Sequence, residues 1–297
     1  MRIKGIFETH SGGKQFWLLL CFLLGGSLLA EFCTAGINWI GGCFSFEWTT
    51  GTGYLRTIQG LSALCTFLLP AIAMGYCCSS NLTDYLSLRH VSNWLAWPLT
   101  AAGMLSLSPL INLLSLWNQS LHLPAVLAPI EQAMRQLEEL AEQLTLTLLS
   151  SDRIDILLAN LLVVAILAAI TEECFFRGTL QRILSRCQAN PHVVIWTAAI
   201  LFSAFHLQFY GFFPRMLLGA YFGYLLRWSR SIWLPIFAHF LNNATVVIVL
   251  SCKTLKANGY LTGDIPVESL LSYSLFALLS TGFFLGINYF LRRRLLQ

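Results

Sequence analysis

Eight apolar runs, each close to the length of a membrane crossing, constrain this chain more than any other feature of its sequence. They cover about 16–39, 55–78, 94–117, 154–185, 192–209, 212–228, 231–251 and 269–291, bounded by turn signals. A helix needs roughly 20 apolar residues to span a hydrocarbon core about 30 Å thick. In lipid, backbone amides and carbonyls must also find partners within the protein. The expected fold class is therefore all-α, a polytopic membrane helix bundle of about eight transmembrane helices. Of the 297 residues 56% are hydrophobic and 11% charged, against about 25% charged in an ordinary soluble domain. That balance excludes both a soluble globular domain and a disordered chain. The first run follows Arg2, Lys4 and Lys14 and continues past Ala30, so it reads as a retained span and not as a cleaved signal.

The net charge of +4 is spread over short clusters between the runs, a distribution that orients helices in a bilayer and gives no reason to expect nucleic acid. With the N-terminus inside, eleven basic residues fall on the inner side: Arg2, Lys4, Lys14, Arg89, Arg182, Arg186, Arg227, Arg230, Arg292, Arg293 and Arg294. Six fall outside: Arg56, Arg135, Arg153, Arg215, Lys253 and Lys256. An even number of spans returns both basic termini to one side, so charge and parity agree on cytoplasmic termini. The nine cysteines include no CxxC pair and read as small buried hydrophobes.

One segment, about 125–149, differs from the rest. Leu127, Ile130, Met134, Leu137, Ala141, Leu144 and Leu148 recur at helical spacing, while Glu131, Arg135, Glu138, Glu139 and Glu142 take the other face. This is an amphipathic helix outside the bilayer core. It is expected to cap the bundle on the non-cytoplasmic side, with an interfacial position or a partner helix as the alternatives.

The chemistry is concentrated in ionisable residues inside apolar runs, where a charge costs about 2.5–3.5 kcal/mol on insertion scales. Glu172 and Glu173 are adjacent, and Arg177 lies four residues after Glu173, within pairing reach on a helix. Glu172 and His206 are each seventeen positions from residue 189, at the turn between two runs, so an antiparallel hairpin brings them to one depth. His206 follows Phe202 by four, and Asn243 follows His239 by four, so each pair shares a helical face. Interhelical hydrogen bonding would explain any one of these residues, but it rarely needs so many costly groups together. A carboxylate beside a histidine can take a proton from water, and a second histidine with an amide can stabilise a tetrahedral oxyanion. Without HExxH or GxSxG, neither the common helical zinc site nor a serine elbow is expected. A zinc ion bound by Glu172, His206 and His239 remains allowed, since catalytic zinc often takes three protein ligands.

Glu172-Glu173-Cys174-Phe175-Phe176-Arg177 fits an EExxxR motif, Phe202 to His206 fits FxxxH, and His239 to Asn243 fits HxxxN. In this order and spacing the chain resembles the CPBP intramembrane protease family, also called the ABI or type II CAAX prenyl endopeptidase family. The resemblance implies an intramembrane endopeptidase in which Glu172 and His206 activate water. It also implies that His239 and Asn243 stabilise the oxyanion, while Glu173 and Arg177 shape the site. No cofactor is then required, although the family has carried a metalloprotease label. The implied substrate is a membrane-embedded or lipidated protein or peptide, processed at a CAAX-type end or matured in a bacterium. The implied partners are that substrate and the lipid bilayer, without nucleic acid. Short loops and the lack of an organelle address favour a bacterial cytoplasmic, or inner, membrane. The expected organisation is 1–150 for N-terminal membrane helices with the amphipathic helix, 151–252 for the catalytic core, and 253–297 for a loop and the C-terminal transmembrane helix. The reading from another class is a non-catalytic scaffold, an immunity protein or an ion-coupled transporter built on the same polar cluster.

Overall fold

The structure is a computed structural model that describes residues 4–44 and 51–296. Arg2, one of the basic residues counted above, lies outside them. The main helices are α1 (Gly12–Phe44), α2 (Thr52–Cys78), α3 (Ala96–Gln119), α4 (Ala128–Leu149), α5 (Ile154–Cys187), α6 (Pro191–Ala204), α7 (Phe212–Ser229), α8 (Trp233–Ser251) and α9 (Val267–Leu296). No strand occurs among the described residues, and the protein is an all-α polytopic membrane bundle. Six helices, α1, α2, α3, α5, α8 and α9, are long and apolar enough to cross a membrane. Their outer faces carry exposed Leu28, Phe32, Leu105, Leu278 and Phe283, which is the surface a lipid-facing helix presents.

The fifth and sixth expected runs take a different form from the others. Helix α6 has 14 residues and stops at Ala204, so at about 1.5 Å per residue it is shorter than the hydrocarbon core. It ends because the chain turns: Leu207 adopts a left-handed φ of 54°, and Ser203 Oγ donates to the Phe212 carbonyl at 2.6 Å across the turn. Helices α6 and α7 then pack as a pair inside the bundle, with Ala199 and Ala220 buried between them. At Gly219 an added Cβ would lie 3.0 Å from Phe202 and 3.2 Å from the Arg177 guanidinium. Glycine there lets the α7 backbone reach the site.

Helix α5 carries two π-helical stretches, 161–167 and 174–180, on either side of the α-helical turn that holds the glutamates. Such widened turns shift the register of the faces and recur at functional sites.

The ends of the bundle are distinct. At one end, Gly5 N–H donates to the Tyr76 carbonyl at 3.0 Å and Ile232 N–H to that of Ser87 at 2.9 Å. Arg186 reaches the Glu8 carbonyl at 2.9 Å, and Asn93 reaches that of Arg294 at 3.4 Å. Both termini therefore share this end with the α5–α6 and α7–α8 turns. At the other end, Asn118 donates to the Phe209 carbonyl at 3.0 Å, and Ser251 Oγ to that of Leu149 at 3.0 Å.

Helix α4 lies at this second end, but it docks by its charged edge. Glu138 accepts the Tyr210 N–H at 3.2 Å, and Arg135 lies 4.3 Å over the Tyr210 ring. Ile130, Leu137, Leu140 and Leu144 remain exposed. The helix thus lies against this end through its polar edge, with Ile130, Leu137 and Leu144 of its apolar stripe exposed.

Candidate active site

The site is assembled from α5, the α6–α7 turn, α7 and α8. Glu173 is fully buried, and its Oε1 accepts from Arg177 Nη1 at 2.8 Å. The same oxygen lies 2.8 Å from His239 Nδ1. Arg177, also buried, donates through Nη2 to the Gly219 carbonyl at 2.9 Å. Its guanidinium is clamped 4.4 Å from the Phe202 ring and 5.4 Å from the Phe222 ring. An unpaired charge at this depth would be strongly destabilising. Here charge, backbone acceptor and aromatic faces together leave the arginine one position, and Glu173 in turn fixes one nitrogen of His239.

Glu172 differs. Its Oε2 is 4.0 Å from His239 Nε2 and has no hydrogen-bond partner in the protein. His239 therefore stands between the two glutamates. Its ring stacks on Phe222 at 5.2 Å and meets the edge of Phe202 at 5.9 Å, so it has little freedom to turn.

His206 lies two residues past the end of α6. Its Nδ1 is 2.9 Å from the Phe202 carbonyl, which leaves Nε2 unengaged. Asn243 donates from Nδ2 to the Val164 carbonyl at 3.0 Å, in the first π-helical stretch of α5. Asn242 donates to Asn243 Oδ1 at 3.2 Å.

These groups meet at a cavity of about 110 Å³ lined by Glu172, Phe202, His206, Arg215, Leu218, Phe222, His239, Asn242 and Asn243. It has room and polar partners for water. The structure thus brings Glu172, His206, His239 and Asn243 to one cavity, with Glu173 and Arg177 behind its wall. Arg215 and Asn242 also line it, although neither stands out in the sequence as a site residue. Arg215 was counted with the outer loop charges, yet it stands in the first turn of α7, held by Gln208 Oε1 at 2.8 Å. Its spacing to Leu218 and Phe222 is i, i+3, i+7, the signal of a shared face. Asn242 follows His239 by three and shares its face as Asn243 does. Among the described residues no group of three or more His, Cys, Asp or Glu side chains is placed to hold a metal ion.

Residues 154–245 match the family described as Rce1-like, type II CAAX prenyl endopeptidase Rce1-like. The chain is also similar to the uncharacterized protein YpbD of Bacillus subtilis (strain 168), 26% identical over 114 residues, which cover 37% of this chain and 54% of that protein. The match thus spans about half the length of that curated relative. No solved structure matches. The matched segment contains every motif residue of the cavity and its wall, from Glu172 to Asn243. Over residues 154–245 the chain is thus similar to the Rce1-like, type II CAAX prenyl endopeptidase family.

Proposed function

We propose that this protein is an intramembrane endopeptidase that hydrolyses a peptide bond of a membrane-embedded or lipidated protein or peptide, with Glu172 as the general base. The observation that carries the reading is the pair of adjacent glutamates: Glu173 is tied through Oε1 to Arg177 and His239 away from the cavity, while Glu172 lines the cavity with no hydrogen bond on Oε2.

In the proposed reaction, a water in the cavity is held by Glu172 and by the free Nε2 of His206. Glu172 takes a proton as the water oxygen attacks the scissile carbonyl carbon. The oxyanion that forms is stabilised by N–H donors on the opposite wall, His239 and Asn243. Glu173 accepts from Nδ1 of His239, so Nε2 donates when the ring carries both protons. Asn243 spends one amide hydrogen on Val164 and keeps the other for the oxyanion. As the C–N bond breaks, Glu172 returns its proton to the leaving nitrogen, which restores the carboxylate and balances the hydrolysis. Arg215 adds positive charge on the same wall, where a carbonyl or terminal carboxylate enters. No step is routed through a metal.

The assignment to a bacterial inner membrane with cytoplasmic termini belongs to this proposal. It is supported by the arginines gathered at the end that holds both termini and by the bacterial relative. So does the division into an N-terminal part (1–150), a catalytic core (151–252) and a C-terminal part (253–297).

The test is cleavage of a membrane-tethered peptide library by the detergent-purified protein, beside Glu172→Ala, with and without a strong zinc chelator. The proposal requires cleavage that survives exhaustive chelation and disappears in the variant. Loss on chelation with recovery on adding zinc would replace the mechanism. Absence of cleavage, with a pH-dependent flux altered by Glu172→Gln, would point to a transporter.

A further inference from the structure

A second cavity, of about 350 Å³, opens at the end of the bundle that holds both termini, between α5, α6 and α7. Its lining includes Arg182, Arg227 and Arg230 and no Asp or Glu, and Arg177 stands at its inner wall. Arg177 is already neutralised by Glu173 at 2.8 Å. The other three have no carboxylate within ion-pair distance among the described residues. Arg227 and Arg230 also form a wall of an adjoining cavity of about 220 Å³, to which Arg292 contributes. Arg182 donates through Nη1 to the Asp84 and Tyr85 carbonyls, each at 3.2 Å, whereas Arg227 and Arg230, which both hollows share, have no side-chain partner among the described residues.

Helix ends explain part of this charge, because a cation near a helix C-terminus is favourable. That accounts for Arg227 in the last turn of α7. It does not account for Arg230, which holds a left-handed φ of 53° at the end of that helix, a position glycine normally fills. Elsewhere the protein pairs its cations, and at this same end Arg89 pairs with Asp84 at 2.8 Å. Arg135 pairs with Glu131 and Arg153 with Asp155, each at 2.8 Å, and Lys253 pairs with Asp152 at 2.9 Å. Arg227 and Arg230, which line the hollow without a side-chain partner among the described residues, leave room there for an external anion. Guanidinium forks match phosphate oxygens geometrically, and basic pockets between membrane helices take anionic headgroups. The cavity also offers Gln181, whose Oε1 is buried without a partner and can accept from a headgroup hydroxyl.

We infer that the Arg182–Arg227–Arg230 cavity is a binding site for a phosphate group, carried by the headgroup of an anionic phospholipid at the membrane surface. The site is separate from the catalytic cavity, and its test needs no cleavage assay. Full-length protein in neutral detergent is titrated with dioctanoyl phosphatidylglycerol, with dioctanoyl phosphatidylcholine and with inorganic phosphate, and its thermal midpoint is followed. Phosphatidylglycerol is expected to raise the midpoint by several degrees, with the rise shrinking as salt is added, while phosphatidylcholine leaves it unchanged. The rise is expected to vanish in Arg227→Gln/Arg230→Gln, to survive largely in Arg227→Lys/Arg230→Lys, and to be intact in Arg153→Gln at the other end. Inorganic phosphate matching the lipid at equal concentration would support the phosphate site and assign its source to solution. An equal rise with phosphatidylcholine, or a full rise in the double glutamine variant, overturns the inference. Should that variant fail to fold, native mass spectrometry of Arg182→Gln replaces it: retention of phosphatidylglycerol at the wild-type level overturns the site, and at least a severalfold loss supports it.

Discussion

The polar cluster of this membrane protein has an inner and an outer half, built from neighbouring residues and made for different work. In the inner half, Glu173, Arg177, the Gly219 carbonyl and Nδ1 of His239 are linked, two of the bonds sharing Oε1 of Glu173, and none of these groups lines the cavity except His239. In the outer half, Glu172 and His206 border a cavity and keep Oε2 and Nε2 unengaged. Breaking a buried ion pair is strongly destabilising, and a carboxylate that borders a small polar cavity is a site for water. The difference teaches that the doubled glutamate divides its labour: one residue holds a histidine in place, the other is left to react. His239 joins the halves, with one nitrogen on each.

The halves can be separated experimentally, beginning with the inner one. Arg177→Met leaves the Glu173 carboxylate buried without its cation and is expected to destabilise the protein by about 3–5 kcal/mol, read as an unfolding midpoint in detergent. A change under about 1 kcal/mol would remove the structural role given to the pair. In the outer half, His206→Ala is expected to slow cleavage by about 10³-fold with an unchanged midpoint, because the residue lies exposed in a turn. A large stability loss there would erase the distinction between the halves. Asn243→Ala belongs to both, since its amide also holds Val164, and about 10²-fold slower turnover with a modest midpoint loss is expected.

The smallest effect lies outside the bilayer. Arg135 first, then the Leu123 N–H and His122, hold Glu131 down to about 2 from an ordinary 4.5. A depressed carboxyl contributes stability above its ordinary pKa and loses it as pH falls toward the folded value. The anchoring of the 121–127 connection should therefore be intact at pH 7 and weaken between about pH 4.5 and 2. Limited proteolysis of that connection should accelerate only in this window, and already at pH 7 in Glu131→Gln, with cleavage of substrate unaffected.

Much of this organisation is legible in the sequence. Apolar runs give the spans because lipid permits few alternatives, and the costly residues within them mark the site. Pairing of Glu173 with Arg177 follows from their spacing, and the equal distance of Glu172 and His206 from residue 189 places both on one cavity. What the sequence conceals has physical causes. Nothing in residues 161–167 or 174–180 announces widened helical turns, which arise from packing. Arg215 lies at the edge of a run, where a cation normally marks a loop, so its inward position depends on the short α6 and the turn after it. Only the folded chain reveals that Ile130, Leu137 and Leu144 of the α4 stripe stay exposed, because docking through Glu138 and Tyr210 decides it.

The most direct test of the division of labour sets Glu172→Gln beside Glu173→Gln and measures both cleavage of a tethered peptide and the unfolding midpoint. The account predicts that Glu172→Gln is as stable as the native protein and cleaves at least about 10²-fold more slowly, while Glu173→Gln lowers the midpoint. A stable, inactive Glu173→Gln beside an active Glu172→Gln would contradict it.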